Sequence, residues 1–152
     1  MPHRPRFILA TAALIGAPLL AAADAPEGRT PVHIEVTGLR SAEGVVLVCM
    51  TPHPKRFPEC RGDADAYALT IPARATVSLD FANVAPGRYA IAVLHDENGN
   101  GKVDRALGLM PKEGYGFSRD APVRMGPPTF KQASFDVGGT AVRQTLRMRY
   151  ML

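Results

Sequence analysis

The chain has 152 residues, with 18 Lys and Arg against 14 Asp and Glu, for a formal net charge of +4. That length supports one domain with one core and is too short for two of ordinary size. No stripe of lysines and arginines interleaved with aromatics runs along it, so the alkaline balance is no argument for nucleic acid.

The chain begins with basic "MPHRPR" and continues into apolar "FILATAALIGAPLLAAA". Ala21, Ala22 and Ala23 ahead of Asp24 satisfy the small-residue rule of signal peptidase, so residues 1–23 are expected to be a cleaved export signal. A retained membrane anchor is disfavoured because the apolar run is short and holds Pro18. Cleavage would remove Arg4 and Arg6 and no acid, lowering the formal charge to about +2. The mature chain is then expected in the periplasm or outside the cell, without a transmembrane segment.

Residues 24–30 form a polar leader, and a single domain is expected over 31–152. "VHIEVTGL" alternates, with Val32, Ile34 and Val36 on one face and His33, Glu35 and Thr37 on the other. "VVLVCMT" is apolar on both faces, as a centrally placed strand requires. "AYALTI" and "ATVSLDFANV" follow, the second with Val77, Leu79 and Phe81 inward. "APGRY" turns into "YAIAVLHD", where Tyr89, Ile91 and Val93 share a face. Towards the end, "TFKQASFDV" and "AVRQTLRMRYM" read as two strands of a hairpin joined at Gly138-Gly139. In the last strand Val142, Leu146, Met148 and Tyr150 oppose Arg143, Thr145, Arg147 and Arg149, the arginines forming a wet face. The best helical segment, "PKRFPECRGDADAYA", is limited by its prolines and glycine to a turn or two. About seven short strands punctuated by Gly and Pro predict an all-β fold, a single antiparallel β-sandwich of prealbumin-like or immunoglobulin-like kind.

Cys49 and Cys60 are the only cysteines. In an exported chain they are expected to form a disulfide closing the proline-rich loop between them. A redox pair or a metal site with His53 is less consistent with the spacing, which is not CxxC and offers no second cysteine pair.

The most chemically loaded stretch is "HDENGNGKVD", His95 to Asp104. A hard divalent cation needs several oxygens converging on a point, and a short loop supplies them by winding round the ion. Asp96, Asn98, Asn100, the Lys102 carbonyl and Asp104 occupy relative positions 1, 3, 5, 7 and 9, with Gly101 at 6. Position 12 is Leu107 where a full loop carries glutamate, so the remaining ligand is sought in Glu113 or Asp120. The reading is a weak calcium loop on a β scaffold, with affinity on the order of 10⁻⁴–10⁻³ M. The alternative is a solvated turn, since Asn98-Gly99 and Asn100-Gly101 are turn dipeptides. In "EGYGFS", Tyr115 and Phe117 with Ser118 are candidates for ligand contact, although glycine-spaced aromatics more often plug a loop onto its sheet.

"GRYAIAVLHDENGNGKVD", "EGYGFSRDA" and "FKQASFDV" together resemble a secreted bacterial family labelled domain of unknown function 2141, from about Val32 to Tyr150. The resemblance brings no activity with it. It implies a transthyretin or prealbumin-like sandwich, and "FANVAPGRYAIAV" is similar to a strand of carboxypeptidase regulatory-like and collagen-binding B-type domains.

The function expected is a monomeric, non-catalytic exported module. Its calcium loop orders residues 105–122 as a surface for a protein or an envelope polysaccharide. Two alternatives stand beside it: a periplasmic hydrolase using His95, Asp96 and Glu113, and a purely structural accessory domain. The hydrolase lacks a serine or cysteine nucleophile in a recognisable elbow. The chain also closes in "RMRYML" and not in the tyrosine-arginine-glycine-serine ending of transthyretin-like hydrolases. A histidine at a strand end more often bonds the adjacent loop, and His95 is assigned that role. Zinc held by His33, His53 and His95 has no supporting spacing.

Overall fold

A computed structural model describes residues 28–106 and 110–152. The expected export signal, most of the polar leader and Leu107 lie outside the described residues. The strands are β1 (Thr30–Thr37), β2 (Val45–Thr51), β3 (Tyr67–Pro72), β4 (Thr76–Val84), β5 (Gly87–Asp96), β6 (Arg105–Ala106), β7 (Met110–Pro111), β8 (Gly114–Phe117), β9 (Phe135–Val137) and β10 (Val142–Arg147). One helical turn, α1 (Phe130–Ala133), precedes β9.

The alternation of apolar residues decides which face of each strand is buried. Val32, Ile34 and Val36 of β1, and Val77, Leu79 and Phe81 of β4, all point into one core. Val46, Val48 and Met50 of β2 meet them from the other side, with Tyr89, Ile91 and Val93 of β5. These side chains fill the space between a three-stranded sheet, β10-β1-β4, and a five-stranded one. The larger sheet runs β3-β2-β5-β8, with β9 also on β5, and β6 and β7 form a separate small ladder. The result is the expected all-β sandwich, with "VVLVCMT" lying centrally between β3 and β5. No described helix is long and apolar enough to cross a membrane.

Four features differ from the sequence reading. "TFKQASFDV" is not one strand: Thr129 and Gln132 form a capping box that starts α1, and only Phe135–Val137 is extended. Gln132 Oε1 accepts both the Thr129 N–H at 2.8 Å and the Thr129 hydroxyl at 2.9 Å, a local polar closure that an apolar count along the segment does not register. Gly138-Gly139 does not close a hairpin. It carries the chain between sheets, because β9 pairs with β5 while β10 pairs with β1. The β1–β10 pair is parallel, so among the described residues the sandwich is antiparallel except at that edge. "PKRFPECRGDADAYA" contains turns and no helix before β3 begins.

A second, smaller cluster lies on the outer face of the five-stranded sheet. Ala90 and Ala92 of β5 are covered there by Phe117, Ala121 and Ala133, with Phe57 and Phe130 packed alongside. The small alanines leave room for the aromatic rings, which meet edge to face: Phe57 lies 5.8 Å from Phe117 and 6.1 Å from Phe130. The disulfide loop and the 118–133 segment are thereby tied to the sheet.

Candidate functional site

Strand β5 ends at Asp96, whose polar side chain is fully buried. The turn between β1 and β2 crosses directly over it, so closely that a Cβ on Gly44 would fall 2.0 Å from the Asp96 carbonyl oxygen. Only glycine tolerates that approach with its φ of +67°.

Beyond Asp96 the chain winds around its own polar side chains. The Asp96 carboxylate accepts the Asn100 N–H at 3.1 Å and the Gly101 N–H at 2.6 Å. Asn98 Oδ1 accepts the Asn100 N–H at 3.1 Å, and Asn100 Oδ1 accepts the Lys102 N–H at 2.8 Å. The amide groups of Asn98 and Asn100 donate to Asp104 Oδ2 at 2.6 and 2.8 Å. Gly99 and Gly101 take positive φ to permit the winding. The alternating polar residues therefore share one turn, which is closed by hydrogen bonds among them.

Glu113 joins this turn from β8. Strands β5 and β8 are antiparallel with Leu94 opposite Tyr115 and His95 opposite Gly114, so the next pair along is Asp96 with Glu113. Both are buried, and like charges directly opposed across a ladder repel. Glu113 Oε2 accepts the Asp104 N–H at 3.1 Å, while Oε1 is buried with no hydrogen-bond partner. Burial raises the Glu113 pKa; the Asp104 N–H offsets this in part, and the Asp96 and Asp104 charges raise it further, together with the hydrogen bond that a protonated carboxyl makes to Asp96. A buried carboxylate oxygen without a donor is costly unless a proton or a cation meets it.

Asp120 is not brought to the turn. It lies past the far end of β8, where its carboxylate pairs with Arg149 at 2.8 Å. Arg119 and Asp120 both adopt positive φ in the tight bend there.

Arg40 was not singled out by the sequence, yet it braces the whole turn. Its guanidinium holds the Glu97 carboxylate, donates to the Lys112 carbonyl at 3.0 Å and stacks on the Tyr150 ring at 4.5 Å. Glu97 adjoins Asp96 and Lys112 adjoins Glu113, so one side chain fixes the approach of both acids. The Arg40 hydrogen bond depresses the Glu97 pKa to about 2, against its partial burial and with help from Ser41. No local motif marks this arginine; only the meeting of the β1–β2 turn with the C-terminus reveals it.

His95 faces the other way, into the end of the main core. Its Nε2 lies 2.9 Å from the Glu43 carbonyl, and its Nδ1 lies 2.8 Å from the Tyr150 hydroxyl. A carbonyl requires a proton on Nε2, leaving Nδ1 to accept from Tyr150. Both ring nitrogens are thus engaged, on the opposite face of the sheet from Asp96. His33 pairs with Asp80 and His53 with Asp65, so the three histidines do not share a site.

Of the candidate contact residues, Phe117 lies inside the outer cluster and Tyr115 packs at its margin, half-buried. Ser118 is fully buried, accepting the Ile91 N–H at 2.8 Å and donating to the Ala133 carbonyl at 2.6 Å. It bridges the gap along β5 between the stretches paired with β8 and β9. Phe117 and Ser118 are occupied within the fold, which leaves Tyr115 as the member with a surface. Cys49 and Cys60 form the expected disulfide.

No curated protein and no solved structure matches the chain. The profile of one family, described as an uncharacterized protein conserved in bacteria (domain of unknown function 2141), matches residues 34–145. That match spans most of the chain, from the middle of β1 into β10, and the chain belongs to this family.

Proposed function

We propose that the protein is an exported, non-catalytic β-sandwich module whose loop at 96–104 binds calcium, with Glu113 as the ligand that the loop itself lacks. The observation that carries this reading is the buried, unpartnered Glu113 Oε1 set opposite buried Asp96. A divalent cation between them would turn mutual repulsion into shared coordination. Asp104, the side-chain oxygens of Asn98 and Asn100 and the Lys102 carbonyl would supply the remaining oxygen set. The two asparagine amides now donate to Asp104, so binding requires them to turn and present oxygen.

Calcium would act on the 105–122 segment through Glu113, which lies at its centre and leads directly into β8. The ordered segment, with Tyr115 at its surface, is the face offered to a protein or an envelope polysaccharide. The disulfide is in keeping with export. Against the hydrolase reading, His95 has both nitrogens bonded and does not share a face with Asp96 and Glu113.

The test is calcium titration by calorimetry with thermal unfolding alongside. One site, a melting temperature that rises with calcium, and loss of both in Asp96→Ala and Glu113→Gln support the reading. Absence of heat and of any shift at millimolar calcium reduces the loop to a hydrogen-bonded turn.

A further inference from the structure

A second group of ligating side chains lies at the opposite end of the five-stranded sheet, in the disulfide loop and the residues just after it. His53 Nε2 is 2.9 Å from Asp65 Oδ2 and 3.6 Å from Asp63 Oδ1. One ligating atom from each of the three residues falls within 4.8 Å of the others. A tetrahedral ion held at about 2.0–2.2 Å sets its ligands roughly 3.4 Å apart, a spacing that the two His53 separations bracket.

The group is held from behind. Thr51 is fully buried at the end of β2; its hydroxyl donates to Asp63 Oδ2 at 2.5 Å and accepts the His53 N–H at 3.0 Å. One anchor therefore fixes both the histidine backbone and the buried carboxylate, while Asp63 Oδ1 accepts the Asp65 N–H at 3.2 Å and lies towards His53. The Cys49–Cys60 disulfide pins the loop's two sides two residues from Thr51 and three from Asp63. Outer-shell bonds of this kind orient ligands and sharpen affinity. In front, His53 and Asp63 line an open depression with Lys55, Arg56 and Gly62.

The ligand types select the ion. Calcium takes six to eight oxygens, and an imidazole nitrogen with two carboxylates does not supply them. Nitrogen and carboxylate oxygen in a set of three, with one position facing solvent, suit zinc and its first-row neighbours. We propose that His53, Asp63 and Asp65 form a binding site for a divalent transition-metal ion of the zinc type, its fourth position open to the depression. The basic rim of Lys55 and Arg56 favours an anionic group in that position. The site is separate from the 96–104 loop and does not depend on calcium binding there.

The test is titration of the protein with Zn²⁺ by calorimetry, repeated for His53→Gln, Asp65→Asn and Glu113→Gln. His53 and Asp65 are solvent-accessible, so their variants are expected to fold, with melting temperatures in the absence of metal close to that of the parent. The proposal expects one ion per chain, with affinity reduced by about tenfold or more in each of the first two variants and unchanged in the third. No zinc binding at a hundred-micromolar excess overturns it. So does binding that survives either His53→Gln or Asp65→Asn unchanged, or binding that disappears with Glu113→Gln.

Discussion

Glu113 is under two opposed demands, and its substitution separates them. Without a cation its buried carboxylate faces Asp96, so Glu113→Gln removes a repulsion and gives the amide a donor for the neighbouring acid. The calcium-free variant is expected to melt no lower than the parent, and higher near neutral pH. Its calcium affinity should nevertheless fall by about tenfold or more, because a charged ligand is lost. The sign of the pH dependence follows from the raised Glu113 pKa. The folded state holds this proton more tightly than the unfolded chain, so its stabilising contribution is present at low pH. It is lost as pH rises through the raised value. Glu97 behaves in the opposite sense. Its depressed pKa, about 2 against an ordinary 4.5, gives stability that is present above the ordinary value and lost as pH falls towards about 2. The Arg40–Glu97 pair is partly open to solvent, so the loss amounts to about 1 kcal/mol. Arg40→Ala should remove most of that acid-range dependence, the Ser41 bond to Glu97 remaining, visible in melting temperature against pH, and should also weaken calcium binding by releasing Glu97 and Lys112. The alternating oxygens of 96–104 were legible because a winding loop places them by local geometry alone. Glu113 was reachable only as one of two acids downstream, and the β5–β8 register chose it over Asp120.

Among the elements, β5 carries most of the organisation. One edge pairs with β2, the other is divided between β8 and β9, and Ser118 bonds the Ile91 backbone between them. Ser118→Ala would leave a buried N–H and a buried carbonyl unpaired, at about 1–3 kcal/mol, measurable by denaturant unfolding. Ser118→Thr retains the hydroxyl but adds a methyl in a fully buried position, so it is not expected to rescue. Gly44→Ala should be more damaging, by about 2 kcal/mol or more, because its Cβ would strike the backbone at the end of β5 and its positive φ would be strained. Sequence alternation located β1, β4 and β5 well, since each has one face in the main core. It misjudged residues 129–137, where a capping box of two polar side chains starts a helical turn. It also misjudged Gly138-Gly139, where a flexible pair serves a crossing between sheets as readily as a hairpin.

For the molecule as a whole, the outer face of the five-stranded sheet is where the two candidate sites are joined to the sandwich. The disulfide loop packs Phe57 onto Phe117, and Phe117 closes the strand that begins at Gly114, next to Glu113. Reduction of Cys49–Cys60 is expected to lower stability by about 2–3 kcal/mol, measured by urea unfolding with and without reductant. Phe57→Ala should loosen the same loop by about 3 kcal/mol or somewhat less, its ring being only partly buried.

The sequence alone determined the β class, the inward faces of the long strands, the cysteine pair and the polar turn at 96–104. Each of these is set by period, by composition or by neighbours close along the chain. Only the tertiary structure decided that β10 joins β1 in parallel and that His95 and Asp96 face opposite sides of the sheet. It also decided that Glu113 meets Asp96, and that His53 meets Asp63 and Asp65. Those are contacts between distant segments, fixed by strand register and by the path of loops across the sheet, and no local pattern in the chain encodes them.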